Sequence, residues 1–402
     1  MRSLPETSMN TDFIPFHRAS IGEEEISAVE RVLRSGWLTT GPVGLEFEKN
    51  FAAYIGCKHA IAVNSCTSAL QLALDAISLK PGEEVLLPTY TFTATSEVVT
   101  FFGAKPVLCD SEANGFNIDP RDVEQRVTPR TRAIIGVHIA GQPCDLNSLR
   151  SVADRHSLHL IEDAAHALPA RYDGRRIGTI SPLTAFSFYA TKTITTAEGG
   201  MLTTDNDQYA ARIRRMRLHG ISGDAWKRYS REGSWFYEIE DAGYKLNLPD
   251  VLATIGLEQL KKSDRFHDLR LKLAHLYRER LGKFEELEMP PDTEHASDHA
   301  WHLFILRIRP ETLIIGRRDF IQELNRAGIG TSVHFIPLHL HPFFNHKYGY
   351  TAGDFPNSEY AYSRAISLPL YPDLSESDLD RIITAISDTL SRCRRKIWAG
   401  AA

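Results

Sequence analysis

Short apolar runs alternate with amphipathic stretches through the first two-thirds of the chain. The runs His59–Val63, Glu84–Pro88, Pro106–Asp110, Ala133–Ile139, Leu158–Asp163, Ala185–Tyr189 and Gly200–Thr203 have the length and composition of buried strands. Between two of them, Thr67–Ile77 places Leu70, Ala73, Leu74 and Ile77 on one face of a helix. Strands alternating with helices predict an α/β fold with a mostly parallel sheet covered on both sides. A helical stretch from Val251 to Glu285 then leads into a different pattern: the apolar run Trp301–Ile308, a helix around Arg317–Ala327 and an amphipathic helix from Ser375 to about Arg394. This region reads as a smaller C-terminal α+β domain. A chain of 402 residues exceeds what one core supports, so two domains are expected, residues 1–265 and 266–402. The tail Arg394-Arg395-Lys396 reads as a solvated helix end.

Sheets of this kind bind ligands beyond the carboxyl ends of their strands, and the chemically distinctive residues fall there. Leu160-Ile161-Glu162-Asp163-Ala164-Ala165-His166 is a strand ending on a carboxylate. The segment Phe186 to Gly200 centres on Lys192, ringed by hydroxyl residues suited to phosphate and closed by Gly199-Gly200. A lone lysine is ordinarily a surface charge. Paired with an acid that can hold a pyridine nitrogen protonated, it is one of the two parts that a pyridoxal phosphate enzyme requires. A second strand-to-helix turn, Asn64-Ser65-Cys66-Thr67-Ser68-Ala69, exposes backbone N–H groups at a helix N-terminus, which favours an anion. A plain helix cap explains that turn equally well in isolation. Beside Asp163 and Lys192, a phosphate cup is the preferred reading.

Composition narrows the alternatives. The net charge of -5 argues against a nucleic-acid partner, which would call for a basic face. Five scattered cysteines without a CxxC pair point to free thiols in a reducing compartment. Met1–Ser20 has no apolar stretch of signal-peptide length, and no segment approaches the roughly 20 apolar residues of a membrane span. A cytoplasmic location is expected. His334, His339, His341 and His346 are close in sequence, but Pro337 and Pro342 interrupt them and no helical spacing aims the rings at one point, so no metal site is predicted. Trp37 and Phe47 are assigned to the core by default.

The chain resembles the sugar-nucleotide aminotransferases of the DegT/DnrJ/EryC1/StrS group, pyridoxal 5'-phosphate enzymes of fold type I with the aspartate aminotransferase architecture. The resemblance rests on Ser35 to Pro42, Pro88 to Thr95, Glu162 to Ala167, the Lys192 segment, and Gly243 to Leu248, in that order. It implies that Lys192 is the Schiff-base lysine and Asp163 the partner of the pyridinium nitrogen. It further implies that Phe92 stacks on the cofactor, that His166 lies beside its ring, and that Thr67, Ser68 and Ser187 contact its phosphate. Asn247 matches a phosphate contact from a neighbouring subunit, implying a homodimer with shared sites. Many members carry Asn and Arg where this chain has Lys245 and Asn247; the form here looks like the branch that aminates 4-keto sugars. The region around His334 and His339 lines the sugar-nucleotide pocket in the group, so both are expected to contact sugar, and His346 to lie on the surface.

The activity so implied is ping-pong transfer of an amine from L-glutamate to a keto sugar on a nucleoside diphosphate. Three rivals remain: amination at C3 or of a keto-inositol, the dehydration run by members with histidine in place of lysine, and a cofactor-binding regulator without turnover. Lys192 argues against the second. Retention of Lys192 and Asp163 without an attached DNA-binding segment argues against the third. Glu198-Gly199-Gly200 looks like the C4 and inositol branches, where the C3 branch has aspartate.

Overall fold

The computed structural model describes residues 13–221, 236–291 and 299–395. Residues 1–12, which hold much of the N-terminal segment screened for a leader, and Lys396 of the basic tail lie outside the described residues. Seven strands form the large sheet: β1 (His59–Val63), β2 (Glu84–Pro88), β3 (Lys105–Cys109), β4 (Thr131–Val137), β5 (His159–Asp163), β6 (Leu183–Ser187) and β7 (Gly200–Thr204). Their spatial order is β1-β7-β6-β5-β4-β2-β3. Pairing is parallel from β6 to β3, while β7 runs antiparallel to both β6 and β1. A smaller antiparallel sheet joins β8 (Leu287–Glu288), β9 (Phe304–Ile308) and β10 (Ala365–Leu368).

Successive side chains of a strand point to opposite faces, and both faces of the large sheet are buried. Ala60 and Ala62 of β1 turn toward a core with Phe47, Phe51 and Phe186, whereas Ile61 and Val63 join Leu70, Leu74 and Leu202 on the other side. The Phe51 ring centroid lies 5.2 Å from that of Phe186 and 5.5 Å from that of Phe188. Burying each such ring contributes about 1.5–3 kcal/mol. Phe47 is fully buried as expected; Trp37 is only half-buried.

The principal helices are α1 (Glu23–Ser35), α2 (Pro42–Ile55), α3 (Cys66–Ala76), α4 (Asp250–Lys261), α5 (Ser263–Leu281), α6 (Arg317–Arg326) and α7 (Glu376–Cys393). The single helical stretch expected over Val251–Glu285 is thus two helices. Lys262 is the C-cap of α4 and the N-cap of α5, and its Nζ is held 2.8 Å from Oε1 of the buried Glu25 in α1. That ion pair fixes the break between the helices. Glu25 also accepts from Gly22 N and Gln259 Nε2, so its buried charge is fully engaged. Along α5, Phe266 packs into the large-sheet core, while Leu273, Ala274, Tyr277 and Leu281 pack with Phe304, Leu306 and Ile366 of the small sheet.

Candidate active site

Asp163 closes β5 and is 5% exposed. Its Oδ2 accepts from the Thr95 hydroxyl at 2.9 Å and its Oδ1 from Ala165 N at 3.1 Å. Burial raises the carboxyl's pKa, against the lowering effect of these donors and of Lys192. The neighbouring Glu162 points the other way, bonded to His138 Nε2 at 2.8 Å and to Ser181 N at 2.8 Å. The alternation of the strand therefore sends one carboxylate to the cavity and the other into the core.

Lys192 lies in the loop that turns β6 into the antiparallel β7. Phe188 anchors that loop: its carbonyl accepts from Thr196 N at 2.9 Å and from the Thr195 hydroxyl at 3.0 Å. The Thr196 hydroxyl donates to Glu198 O at 2.7 Å. Much of the hydroxyl ring read as suited to phosphate thus holds the loop in shape instead, because buried hydroxyls must find partners and the turn's carbonyls are the nearest. Desolvation lowers the Lys192 pKa to about 8, with Cys66 and Asp163 opposing that fall. Among the described residues, no hydrogen bond or ion pair is formed by its Nζ.

The turn into α3 serves both as a cap and as one wall of the cavity. Ser65 is the N-cap, its hydroxyl accepting from Ser68 N at 3.1 Å. Ser65, Cys66 and Thr67 line the cavity. The β7 strand passes so close that a Cβ on Gly200 would stand 2.5 Å from the Ser65 carbonyl. Glycine there lets the two segments touch.

The cavity encloses about 490 Å³. Of the residues singled out from sequence, it brings together Lys192, Asp163, Thr67, Phe92, His166, Ser187 and His334. Three others are not among its lining residues. The Ser68 hydroxyl is turned to Asn64 Oδ1 at 2.6 Å. Asn247 donates to the Thr40 hydroxyl at 2.6 Å and accepts from Lys245 Nζ. His339 is 1% exposed, with Nδ1 2.8 Å from the Thr89 hydroxyl and Nε2 3.0 Å from Glu359. With both nitrogens engaged inside the protein, His339 is a structural histidine in this protomer, contrary to the expected sugar contact. His346 is exposed, and among the described residues no group of three or more His, Cys, Asp or Glu is placed to hold a metal ion.

The sequence reading missed Thr95, His17, His302 and Phe335, all at the cavity. Thr95 belongs to the Pro88–Thr95 motif, but no spacing rule ties its hydroxyl to Asp163. His166 accepts from Ala140 N on Nδ1 at 3.2 Å, which leaves Nε2–H as its free donor. The His166 ring stacks on Phe335 with centroids 5.7 Å apart. Burial, reinforced by Lys192 and His334, keeps the His166 pKa well below 6.5. The ring is uncharged at neutral pH.

These residues fit a pyridine cofactor bearing a phosphate. Asp163 presents a buried carboxylate that an opposing cation would hold ionised, and Phe92 offers a ring that is 59% exposed. Lys192 supplies an unengaged amine, and the α3 N-terminus an anion site.

A parallel sheet with a lysine and an acid at its strand ends is the setting of an aminotransferase. The comparisons agree: residues 19–387 match the model of the DegT/DnrJ/EryC1/StrS aminotransferase family, and the chain belongs to that family. It is an enzyme of the sugar aminotransferase class, with the fold type I architecture. It is similar to the spore coat polysaccharide biosynthesis protein SpsC of Bacillus subtilis, 47% identical over 94% of this chain and 97% of that protein. An uncharacterized protein of Methanocaldococcus jannaschii, MJ1066, is 50% identical over 95% of this chain and 99% of its own length. Among solved structures, the PMP form of the putative sugar aminotransferase Spr1654 from Streptococcus pneumoniae superposes with a TM-score of 0.88 at 33% identity, covering 94% of this chain and 99% of that one. No helix among the described residues is long and apolar enough to cross a membrane.

Proposed function

We propose that the protein uses pyridoxal 5'-phosphate to move an amino group from L-glutamate to a 4-keto sugar on a nucleoside diphosphate, giving a 4-amino-4-deoxy sugar nucleotide. The observation that carries this reading is the convergence of Lys192, Asp163 and the α3 N-terminus on one cavity. The cofactor, when bound, draws electrons from the carbon at which the amine is exchanged. Asp163 holds the proton on its ring nitrogen, and the donors Thr95 and Ala165 keep the carboxylate aimed and ionised. Lys192 would hold the cofactor through its amine, and its Nζ would serve as the base that takes and returns the proton at the reacting carbon. A pKa of about 8 suits that task, since a base works best when its pKa lies near the working pH. Thr67, Ser187 and the first turn of α3 hold the phosphate, Ser68 supporting that turn through Asn64. Phe92, which lines the cavity, would pack against the ring. The free Nε2–H of His166 donates beside it, and His334 faces the sugar.

Asn247 is proposed to act in the neighbouring subunit of a homodimer. Its absence from the lining of its own cavity, with its side chain bonded to Thr40, supports this. The change of core along α5 supports a domain division near residues 265 and 266. The free cysteines fit a cytoplasmic enzyme. The 4-keto assignment is supported by the likeness of Glu198-Gly199-Gly200 and Lys245-Leu246-Asn247 to the C4 branch. A structural neighbour, PseC of Helicobacter pylori, is described as an aminotransferase of pseudoaminic acid biosynthesis. A pocket that fixes the nucleotide elsewhere and the carbonyl at the cofactor should tolerate poorly a ketone moved one carbon along the ring. NMR of the products from matched 3-keto and 4-keto nucleotide sugars tests the assignment: nitrogen is expected at C4. Nitrogen at C3 with inert 4-keto substrates would overturn it and leave the aminotransferase intact.

A further inference from the structure

Four histidines line the cavity: His17, His166, His302 and His334. Three have partners in the fold. His17 Nε2 donates to Ala190 O at 3.1 Å, His166 Nδ1 accepts from Ala140 N, and His334 Nδ1 is 2.8 Å from the Ser367 hydroxyl. His302 differs. It is 5% exposed, its buried Nδ1 has no hydrogen-bond partner, and no hydrogen bond of its Nε2 is formed among the described residues. Its ring lies 4.4 Å from the His166 ring, on the side of the small sheet.

The backbone is built to hold His302 there. Arg270, itself 1% exposed, donates from one guanidinium nitrogen to the carbonyls of Trp301, His302 and Leu370, at 3.3, 3.2 and 2.8 Å. This clamp ties the segment preceding β9 to the segment following β10, and His302, Leu303 and Leu370 all reach the cavity. Of the apolar run Trp301–Ile308, only Phe304–Ile308 forms the strand, and the clamped Trp301 and His302 precede it. The unpartnered Nδ1 is closed off from the cavity, whereas Nε2 is not buried, so Nε2 is the atom of this cavity-lining ring that a ligand can meet.

We infer that His302 hydrogen-bonds a ring hydroxyl of the sugar acceptor and helps to select that sugar. The inference rests on the proposed function, in which a sugar is the second substrate. Two ligands visit this cavity in turn, and their chemistry separates them. Glutamate brings carboxylates, which call for a cation. His302 is not one: burial first, then His166, Lys192, Arg270 and His334, keep its pKa well below 6.5. An uncharged imidazole offers one N–H and one lone pair. Only Nε2 is open to a ligand, and there the neutral ring offers either an N–H or a lone pair according to its tautomer; a hydroxyl, which both accepts and donates, matches either.

The test follows the two half-reactions separately in the holoenzyme by cofactor absorbance, in wild type and in His302→Phe, which keeps the ring volume and removes both nitrogens. The glutamate half-reaction is expected to proceed as in wild type and reports an intact site in the same sample. The sugar half-reaction should slow by about 5- to 100-fold, the effect of losing one hydrogen bond in a dry pocket. Of a set of deoxy sugars, the one lacking the contacted hydroxyl should react equally with both proteins. If the phenylalanine variant does not retain cofactor, His302→Gln is read in the same way and should keep part of the preference for the hydroxylated sugar. Equal losses in both half-reactions, or an unchanged preference among the sugars, would overturn the inference. A wild type that aminates no sugar ketone would sink the parent reading as well, whereas failure of the inference alone appears only in the variants.

Discussion

Burying the Lys192 amine gives the apo protein a stability that depends on pH in a predictable direction. The unfolded chain keeps the ammonium proton up to the ordinary value of 10.5, while the folded state releases it at about 8. Between those values the unfolded state binds more protons, so raising the pH stabilises the fold; below about 8 the buried ammonium costs stability by a constant amount. At about 1.36 kcal/mol per pKa unit, the full effect is about 3 kcal/mol. Because the amine faces a cavity that solvent enters, about 1–3 kcal/mol is the range to expect. The assay is urea unfolding of cofactor-free wild type and Lys192→Met across this window, the methionine matching the stem without the charge. The variant should be the more stable protein at pH 7, with its advantage shrinking above about pH 8 and gone by about 10.5. A pH-independent difference, or a wild type that loses ground to the variant as pH rises, would refute the reasoning.

Thr95→Val removes the 2.9 Å hydrogen bond to Asp163 while keeping the shape. A lost charge-assisted bond of about 1.5–3 kcal/mol should weaken cofactor binding by about 10-fold or more in an equilibrium titration. Gly200→Ala forces a Cβ to within 2.5 Å of the Ser65 carbonyl, so the α3 N-terminus must shift. Cofactor retention on gel filtration should fall, and an alanine variant that keeps cofactor as tightly as wild type would refute the close approach. For Asn247, chains bearing Lys192→Ala and chains bearing Asn247→Asp are each expected to be crippled. Mixed dimers should regain part of the activity, and no gain in dimers shown to have exchanged would remove Asn247 from the partner's site.

Strand positions were legible in the sequence because both sheet faces are buried, so β1, β2 and β5 stand out as apolar runs ending in turn residues. The antiparallel course of β7 was not, since Gly200-Met201-Leu202-Thr203 looks the same in either direction. Lys192 and Asp163 were readable as a pair of unusual residues at strand ends. His302 and Thr95 were not, because their significance lies in what they touch. Contacts such as that between His302 and His166, or Arg270 and the carbonyl of Leu370, join residues far apart in the chain, and no local periodicity encodes them. The same limit explains His339, which sits in a promising run of histidines yet spends both nitrogens on Thr89 and Glu359. Phosphate suitability was assigned to the threonines around Lys192 for a similar reason: composition shows hydroxyls, and only the fold shows that Thr195 and Thr196 hold the turn.

The central claim is that Lys192 runs an amino transfer at the end of β6. The most direct measurement is the absorbance of the cofactor-loaded protein on mixing with L-glutamate, in wild type and in Lys192→Ala, with keto-acid release read in parallel. Wild type should convert from the pyridoxal to the pyridoxamine form and release 2-oxoglutarate. The alanine variant should be slower by several orders of magnitude, beyond the ~100- to 10,000-fold typical of losing one general acid–base group. Conversion by Lys192→Ala at a near-wild-type rate, or none by the wild type with any amino acid donor, would contradict the account.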